Sequence, residues 1–460
     1  MKGLSVILIA CAVELAGCST QPARPDRSRL SMPASWSAEA GGAIGNPDSW
    51  WKNFQDPQLD DLVDRALHTN NDFAVAAIRV HRARLQSALV GTNWAPAVAV
   101  DGFSTATRGF DPKFTARSSG LTSLLSFEVD LWGKLENQRQ ASRWEADASV
   151  ADCRAFAAWL VGTTAKLYWQ LAELNQLLAM ADADIHYARR TLELARAKYE
   201  VGSISKLNAA EAELSLSTQE AARTELVQQR AEARNALAIL FDQPPQSTTS
   251  ERPALAEGAM PPIGAGLPAE ILANRPDLQA AELRVREALV NVDVVRTSFY
   301  PTLTLTGTLG TSSDSLVKFL QNPVGTLGGD LALPFVQWKT AQLTTRIART
   351  QYEEAAVGFR QRLYTALAEV ENALSARAQL QAEERTLRSA IEQARLAESI
   401  ARTRFEAGAS DVQLWLDAQA RVRGVERSLV LNRLNQFDNQ ADLYRALGLG
   451  VASDRPACGA

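Results

Sequence analysis

Ala195-Arg196-Ala197-Lys198-Tyr199-Glu200-Val201-Gly202 and Ala401-Arg402-Thr403-Arg404-Phe405-Glu406-Ala407-Gly408 are one pattern written twice, and that repetition decides the fold. Further upstream, Asp72-Phe73 through Pro96 lies over Asp277-Leu278 through Pro301 without a gap. Ile78-Arg79-Val80 falls on Leu283-Arg284-Val285 and Trp94 on Phe299, with the first match only one residue out of phase with this one. A nearly constant offset over two separate stretches makes the chain two copies of one unit. The copies span 57–243 and 269–448. Between them, residues 244–268 are broken by Pro244-Pro245, Pro261-Pro262, Gly264 and Pro268 and read as a linker.

Each copy predicts a shorter helix, two strands and two very long helices. In the first long helix Leu160, Leu167 and Leu174 form one seven-residue series, and Leu171, Leu178, Ile185 and Leu192 form the other. Two such series three or four residues apart are a heptad seam. No proline interrupts Lys134 to Val201, and some 65 helical residues at about 1.5 Å each make a rod on the order of 100 Å. Such a rod exceeds any globular core and by itself also fits a fibrous coiled coil. The long helical hairpins are expected over about 134–241 and 338–448.

The strands point elsewhere. Ala97 to Thr107 and Leu121 to Leu131 make a hairpin over about 97–131, with Gly109, Asp111-Pro112 and Ser118-Ser119-Gly120 expected between them. The second copy repeats it over about 302–334, where Thr302-Leu303-Thr304-Leu305-Thr306-Gly307-Thr308-Leu309 alternates oily and wet side chains. About ten residues per strand, with one face for lipid and one for a wet lumen, is the pattern of an outer-membrane barrel. Four strands cannot close a barrel whose smallest members have about eight, and an open edge cannot sit in lipid. Strands that cross the membrane would therefore require several chains to share one barrel, and counting does not choose among two, three or four copies.

The whole chain narrows the function. Its 460 residues carry a net charge of −4, with no basic field to hold a phosphate backbone, so nucleic acid is not an expected partner. The cysteines Cys11, Cys18, Cys153 and Cys458 look too few and too scattered for a disulfide framework or a zinc site. Met1-Lys2, the apolar Val6 to Ile9 and Leu15-Ala16-Gly17-Cys18 resemble a bacterial lipobox. On that reading 1–17 is a signal peptide, Cys18 carries acyl chains, and 18–56 is a lipid-anchored segment. Residues 449–460 are left as a C-terminal tail. His68, His81 and His186 stand alone, and no phosphate loop, serine elbow or metal-ligand spacing is present. No catalytic, cofactor-binding or metal residue is expected.

Together the lipobox, the duplication, the hairpins and the rods resemble the TolC-like outer-membrane efflux proteins, in the lipoprotein branch that serves pumps of the resistance-nodulation-division type. Trp50-Trp51-Lys52-Asn53-Phe54-Gln55-Asp56-Pro57-Gln58-Leu59, Asn274-Arg275-Pro276-Asp277-Leu278, Ser298-Phe299-Tyr300-Pro301 and Leu416-Asp417-Ala418-Gln419 carry the likeness, which covers nearly the whole mature chain. The resemblance implies a mainly α fold with a transmembrane β part: a trimeric, twelve-stranded barrel in the outer membrane, continued by an α-helical barrel into the periplasm. It further implies two partners, a periplasmic adaptor and an inner-membrane pump, and export of small molecules such as drugs. A duct for protein secretion and a non-conducting structural lipoprotein are the alternatives.

Two sets of residues follow from the likeness. Gly202 with Ser205 and Gly408 with Asp411 are expected helix turns that dock the adaptor, each a glycine C-cap followed by an N-cap residue. Asp417 is the expected lumen-facing acid of a periplasmic gate, with Gln413 in the usual leucine slot, Ala420 in the usual arginine slot and Arg421 one residue later. Val336-Gln337-Trp338-Lys339 stands where a glycine-rich turn is common.

Overall fold

The computed structural model describes residues 32–37, 47–247, 250–266, 268–314, 318, 320, 322–334, 337–450 and 458. Cys11, the lipobox with Cys18, and Val336 lie outside them. The elements run α1 (Pro57–Thr69), α2 (Asn71–Gly91), β1 (Ala97–Phe110), β2 (Lys113–Val129), α3 (Lys134–Glu200) and α4 (Lys206–Leu240). Then come α5 (Ile271–Asn274), α6 (Pro276–Thr297), β3 (Thr302–Ser313), β4 (Pro323–Ala332), α7 (Trp338–Glu406) and α8 (Val412–Ala446). The chain divides into two compact units, one built from residues 82–148 and 281–360 and the other from 32–81, 149–280 and 361–460. Among the described residues no helix is long and apolar enough to cross a membrane.

The first unit holds one antiparallel sheet in the order β1-β2-β3-β4. Pairing of Leu125 with both Val98 and Gly307, of Gly307 with Leu327, and of Val129 with Leu303 and Leu303 with Leu331 fixes the register. Because side chains alternate with period two, these residues share one face with Val100, Leu121, Phe127, Leu305 and Leu309. Asp101, Thr122, Glu128, Thr302, Thr304, Thr306, Thr308 and Asp330 take the other. On the apolar face Val98, Val100, Leu125, Leu305, Leu309, Leu327 and Leu331 are all exposed, Leu327 at 92%. At its base, Trp132 donates to the Pro301 carbonyl at 2.7 Å and stands edge-on to Tyr300, while Lys134 pairs with Glu128.

The first hairpin differs from expectation in its turn. Strand β2 begins at Lys113, so the turn shrinks to Asp111-Pro112, and Ser118-Ser119-Gly120 pair with Thr105, Ser104 and Phe103. Small and polar residues here are strand rather than loop because they meet cross-strand partners. Ser104 and Ser119 share a hydrogen bond of 3.0 Å, and a Cβ on Gly120 would stand 2.1 Å from the Thr311 carbonyl and 2.9 Å from the Phe103 ring.

The second unit packs along the heptad seam. Leu160, Leu171, Leu174, Leu178, Ile185 and Leu192 are buried, and the series through Leu174 continues as Ala181, Ala188 and Ala195, small residues that admit a close neighbour. Trp50 stacks on Tyr444 at 5.0 Å, and Phe54 meets Trp169 and Phe437, so the segment before α1 is held between α3 and α8. Asp56 accepts from the Gln58 amide at the start of α1, from the Tyr168 hydroxyl at 2.9 Å and from Arg252 at 2.7 Å. Buried Arg275 grips Asp277 through two nitrogens (3.0 and 2.7 Å) and Glu369 at 2.6 Å. Gly448, at φ +76°, closes over this site, where any Cβ would lie 2.5 Å from the Asn274 backbone.

The cysteines correct the sequence reading. Cys153 on α3 and Cys458 in the tail form a disulfide across a separation of 305 residues, with Cα atoms 5.8 Å apart. Linear spacing hides a pair so far apart in sequence; Gly450 likewise lies against Ala158 on the same helix as Cys153.

Candidate functional site: the helix turns and the α8 stripe

Helices α3 and α7 end alike. Gly202 and Gly408 both adopt φ +72°, a conformation that glycine enters without steric cost. The Ser203 amide donates to Lys198 O and the Gly202 amide to Tyr199 O; the Ala409 and Gly408 amides donate to Arg404 O and Phe405 O. This six-to-one and five-to-two pairing satisfies carbonyls that a helix end otherwise leaves open. A Cβ at either glycine would meet nothing within 4 Å, so both turns present open surface.

The following helices start differently. Ser205 caps α4 in a reciprocal box: its Oγ accepts from the Asn208 amide, while its own amide and hydroxyl donate to Asn208 Oδ1. Asp411 holds the N-cap position of α8 but makes no capping bond; its carboxylate accepts instead from Asn208 Nδ2 at 3.4 Å. Lys198 adds a second tie, donating from Nζ to Phe405 O at 2.6 Å and Glu406 O at 3.0 Å with its ammonium 4.7 Å from the Phe405 ring centre. A cation on the last carbonyls of a helix opposes the negative end of its dipole. The four expected turn residues are thus brought together, joined through Asn208 and Lys198, which the sequence reading did not single out. In the repeat Lys198 lies opposite another cation, Arg404, and Asn208 opposite Leu414, so neither pairing signals the tie it makes.

Helix α8 shows two faces. Val412, Trp415, Leu416, Ala418 and Gln419 are buried, while Gln413, Asp417 and Arg421 are exposed and recur every four residues as one stripe. Gln413 donates to Asp417 Oδ1 at 2.7 Å, so the residue in the usual leucine slot orients the acid. Behind the stripe, Glu398 accepts from Trp415 at 2.7 Å and from the Tyr187 hydroxyl at 2.5 Å. Burial, with the bond to Glu398, pushes the Tyr187 hydroxyl up to about 12. Gln419 donates to Thr191 at 3.3 Å. The face of α8 opposite the stripe is thus held against α3 and α7 by these polar contacts and by an apolar cluster of Ala401, Phe405, Val412, Trp415, Leu416 and Ala418. Among the described residues no group of acids, histidines or cysteines could hold a metal.

The family profile described as "Outer membrane efflux protein" matches residues 62–241 and again 267–449. The chain belongs to this family. As an outer membrane efflux protein it is 30% identical to the pyoverdine export outer membrane protein OpmQ of Pseudomonas putida, over 98% of both chains. It is 28% identical to the cation efflux system protein CusC of Escherichia coli, over 98% of this chain and 99% of that one. Among solved structures, the CmeC outer membrane channel of Campylobacter jejuni superposes with a TM-score of 0.85 at 23% identity, covering 95% of this chain and 96% of CmeC. An outer membrane efflux protein of this family is the outer-membrane part of a tripartite pump, which implies an adaptor and an inner-membrane pump as partners.

Proposed function

We propose that three copies of this chain form one exit duct for small molecules, gated at the α8 stripe and catalysing no reaction. The observation that carries this is the sheet: one face bears an exposed apolar band from Val98, Val100, Leu125, Leu305, Leu309, Leu327 and Leu331, the other is threonine-rich, and β1 and β4 are left as edges. Edges in lipid must be paired, and three copies of four strands supply a closed barrel of about twelve. Acylated Cys18 anchors the chain to the outer membrane, and residues 1–17 are removed. The turns at Gly202, Ser205, Gly408 and Asp411 dock a periplasmic adaptor that couples the duct to a pump of the resistance-nodulation-division type. Pyoverdine export by the OpmQ relative and cation efflux by CusC support a small-molecule cargo.

Three copies of Asp417 around the axis make a ring whose field favours cations and whose repulsion is held in check by Gln413, with Arg421 one turn on. Single-channel recording on the purified, acyl-labelled protein tests the reading. A small, mostly closed conductance that rises when Asp417→Ala removes the ring is expected. No conductance from either protein would return the chain to a structural spacer.

A further inference from the structure

The first hairpin is longer than the second, and the surplus carries charge on an unexpected face. β2 pairs with β3 only as far as Ser119↔Ser313, yet β1 and β2 continue to Phe110↔Lys113. In this overhang Arg108 lies opposite Thr115, Lys113 opposite Phe110 and Arg117 opposite Ala106. By the two-residue alternation all three cations stand on the same face as Val98, Val100, Leu121 and Leu125, the face turned to lipid. All three are exposed, and no ion pair joins them to another of the described residues.

Height decides what they meet. From Val129 to Leu121 the apolar face of β2 climbs eight residues, which at about 3.4 Å each and a tilt near 40° is roughly 21 Å, close to the ~25 Å band of an outer-membrane barrel. Arg117 then stands at roughly 31 Å and Arg108 at roughly 36 Å on the same scale, within reach of the headgroup layer by side chains some 6 Å long. Because the ends of the strands at Ala97 and Val129 run on to α2 and α3, this tip is the outer one. Beyond Leu121 the lipid-turned face holds Ser119, Ser104 and Ala106, and no large apolar side chain until Phe110, 80% exposed at the tip. A basic cluster that ends an apolar band suits an anionic headgroup whose chains lie in that band.

We propose that Arg108, Lys113 and Arg117 form a clamp for the phosphorylated headgroup of an outer-leaflet glycolipid. The Arg108 and Arg117 guanidiniums present paired N–H donors to phosphate oxygens, and Lys113 reaches the outlying sugar phosphate. The bound acyl chains cover Leu121 and Leu125, so the lipid belongs to the barrel wall and not to the transported cargo. The inference rests on the membrane placement of the strands proposed above.

Native mass spectrometry of the full-length protein in detergent, offered bis-phosphorylated lipid A or its dephosphorylated counterpart, tests it. The phosphorylated form is expected to be retained about tenfold better, a preference of about 1.4 kcal/mol, and R108Q/K113Q/R117Q is expected to abolish that preference while K318Q preserves it. Should the triple variant not fold, R117Q alone is expected to reduce the preference about threefold. Equal retention of both lipids, an undiminished preference in the variants, or displacement by millimolar inorganic phosphate would overturn the clamp. Single-channel recording on the same samples separates the two readings: loss of lipid preference with conductance intact removes the clamp alone, and absent conductance in the unaltered protein removes the duct.

Discussion

Glu173 on α3 is 8% exposed and faces Asp438 on α8, whose Oδ1 is buried without a hydrogen bond. Burial, with the charge of Asp438, pushes the Glu173 carboxyl from 4.5 up to about 7. Burial raises Asp438 to about 6 against the pull of Lys166, which is itself paired with Asp442 at 2.7 Å. Groups raised above their unfolded values bind protons more readily when folded, so their stabilising effect is complete below about pH 4 and is lost as pH rises through 6 and 7. The melting temperature is therefore expected to fall by several degrees between pH 5 and pH 8, and Glu173→Gln to flatten that slope. A profile that keeps its slope in the variant would remove Glu173 as the cause. Asp277 acts in the opposite sense: burial raises it, but Arg275 outweighs burial and holds it below 3.8, so that loss comes only in stronger acid.

The two helical hairpins repeat a capped turn with one asymmetry, the side chain of Asn208, which closes the cap of α4 and also reaches Asp411. Asn208→Ala removes both contacts at once. A loss of about 1–2 kcal/mol is expected, localised by hydrogen exchange to the first turns of α4 and α8, and unchanged exchange there would show that the turns are independent. Gly408 separates docking from folding, because its Cβ position is open and only the positive φ resists substitution, at about 1 kcal/mol. Gly408→Trp is expected to leave the protein level unchanged and to abolish crosslinking to the adaptor; undiminished crosslinking would remove this turn from the interface. The long helices, the repeat and both glycine turns were legible because each has a local signature: a heptad seam, a constant offset, a glycine after the last helical turn. The links between turns were not. Lys198 and Glu398 are ordinary helix-surface residues until a second helix is laid beside them, and the start of β2 was hidden because serine and glycine in a strand look like loop until their cross-strand partners are known.

Across the molecule, contacts far apart in sequence hold the helical unit together: Trp50 on Tyr444, Phe54 on Phe437, and the Cys153–Cys458 disulfide. Cys153 and Cys458 enclose a loop of 305 residues that contains the second sheet hairpin, the linker and both helix turns. A crosslink over so long a loop acts chiefly by narrowing the unfolded ensemble, with a typical effect of about 2–5 kcal/mol. It also fits the outer membrane, whose proteins pass through an oxidising compartment where such bonds persist. Both cysteines belong to the helical unit and neither is part of a strand or of the Gln413, Asp417 and Arg421 stripe, so the bond is expected to govern stability and leave conductance alone. A phosphine reductant is accordingly expected to lower the melting temperature of the full-length protein, and Cys153→Ser/Cys458→Ser to reach the same lowered value with no further response to reductant. Channel recordings on the double variant should match those of the unaltered protein. A melting temperature indifferent to reductant would mean that the tail is held by packing alone, through the close approaches of Gly448 and Gly450 to Asn274 and Ala158.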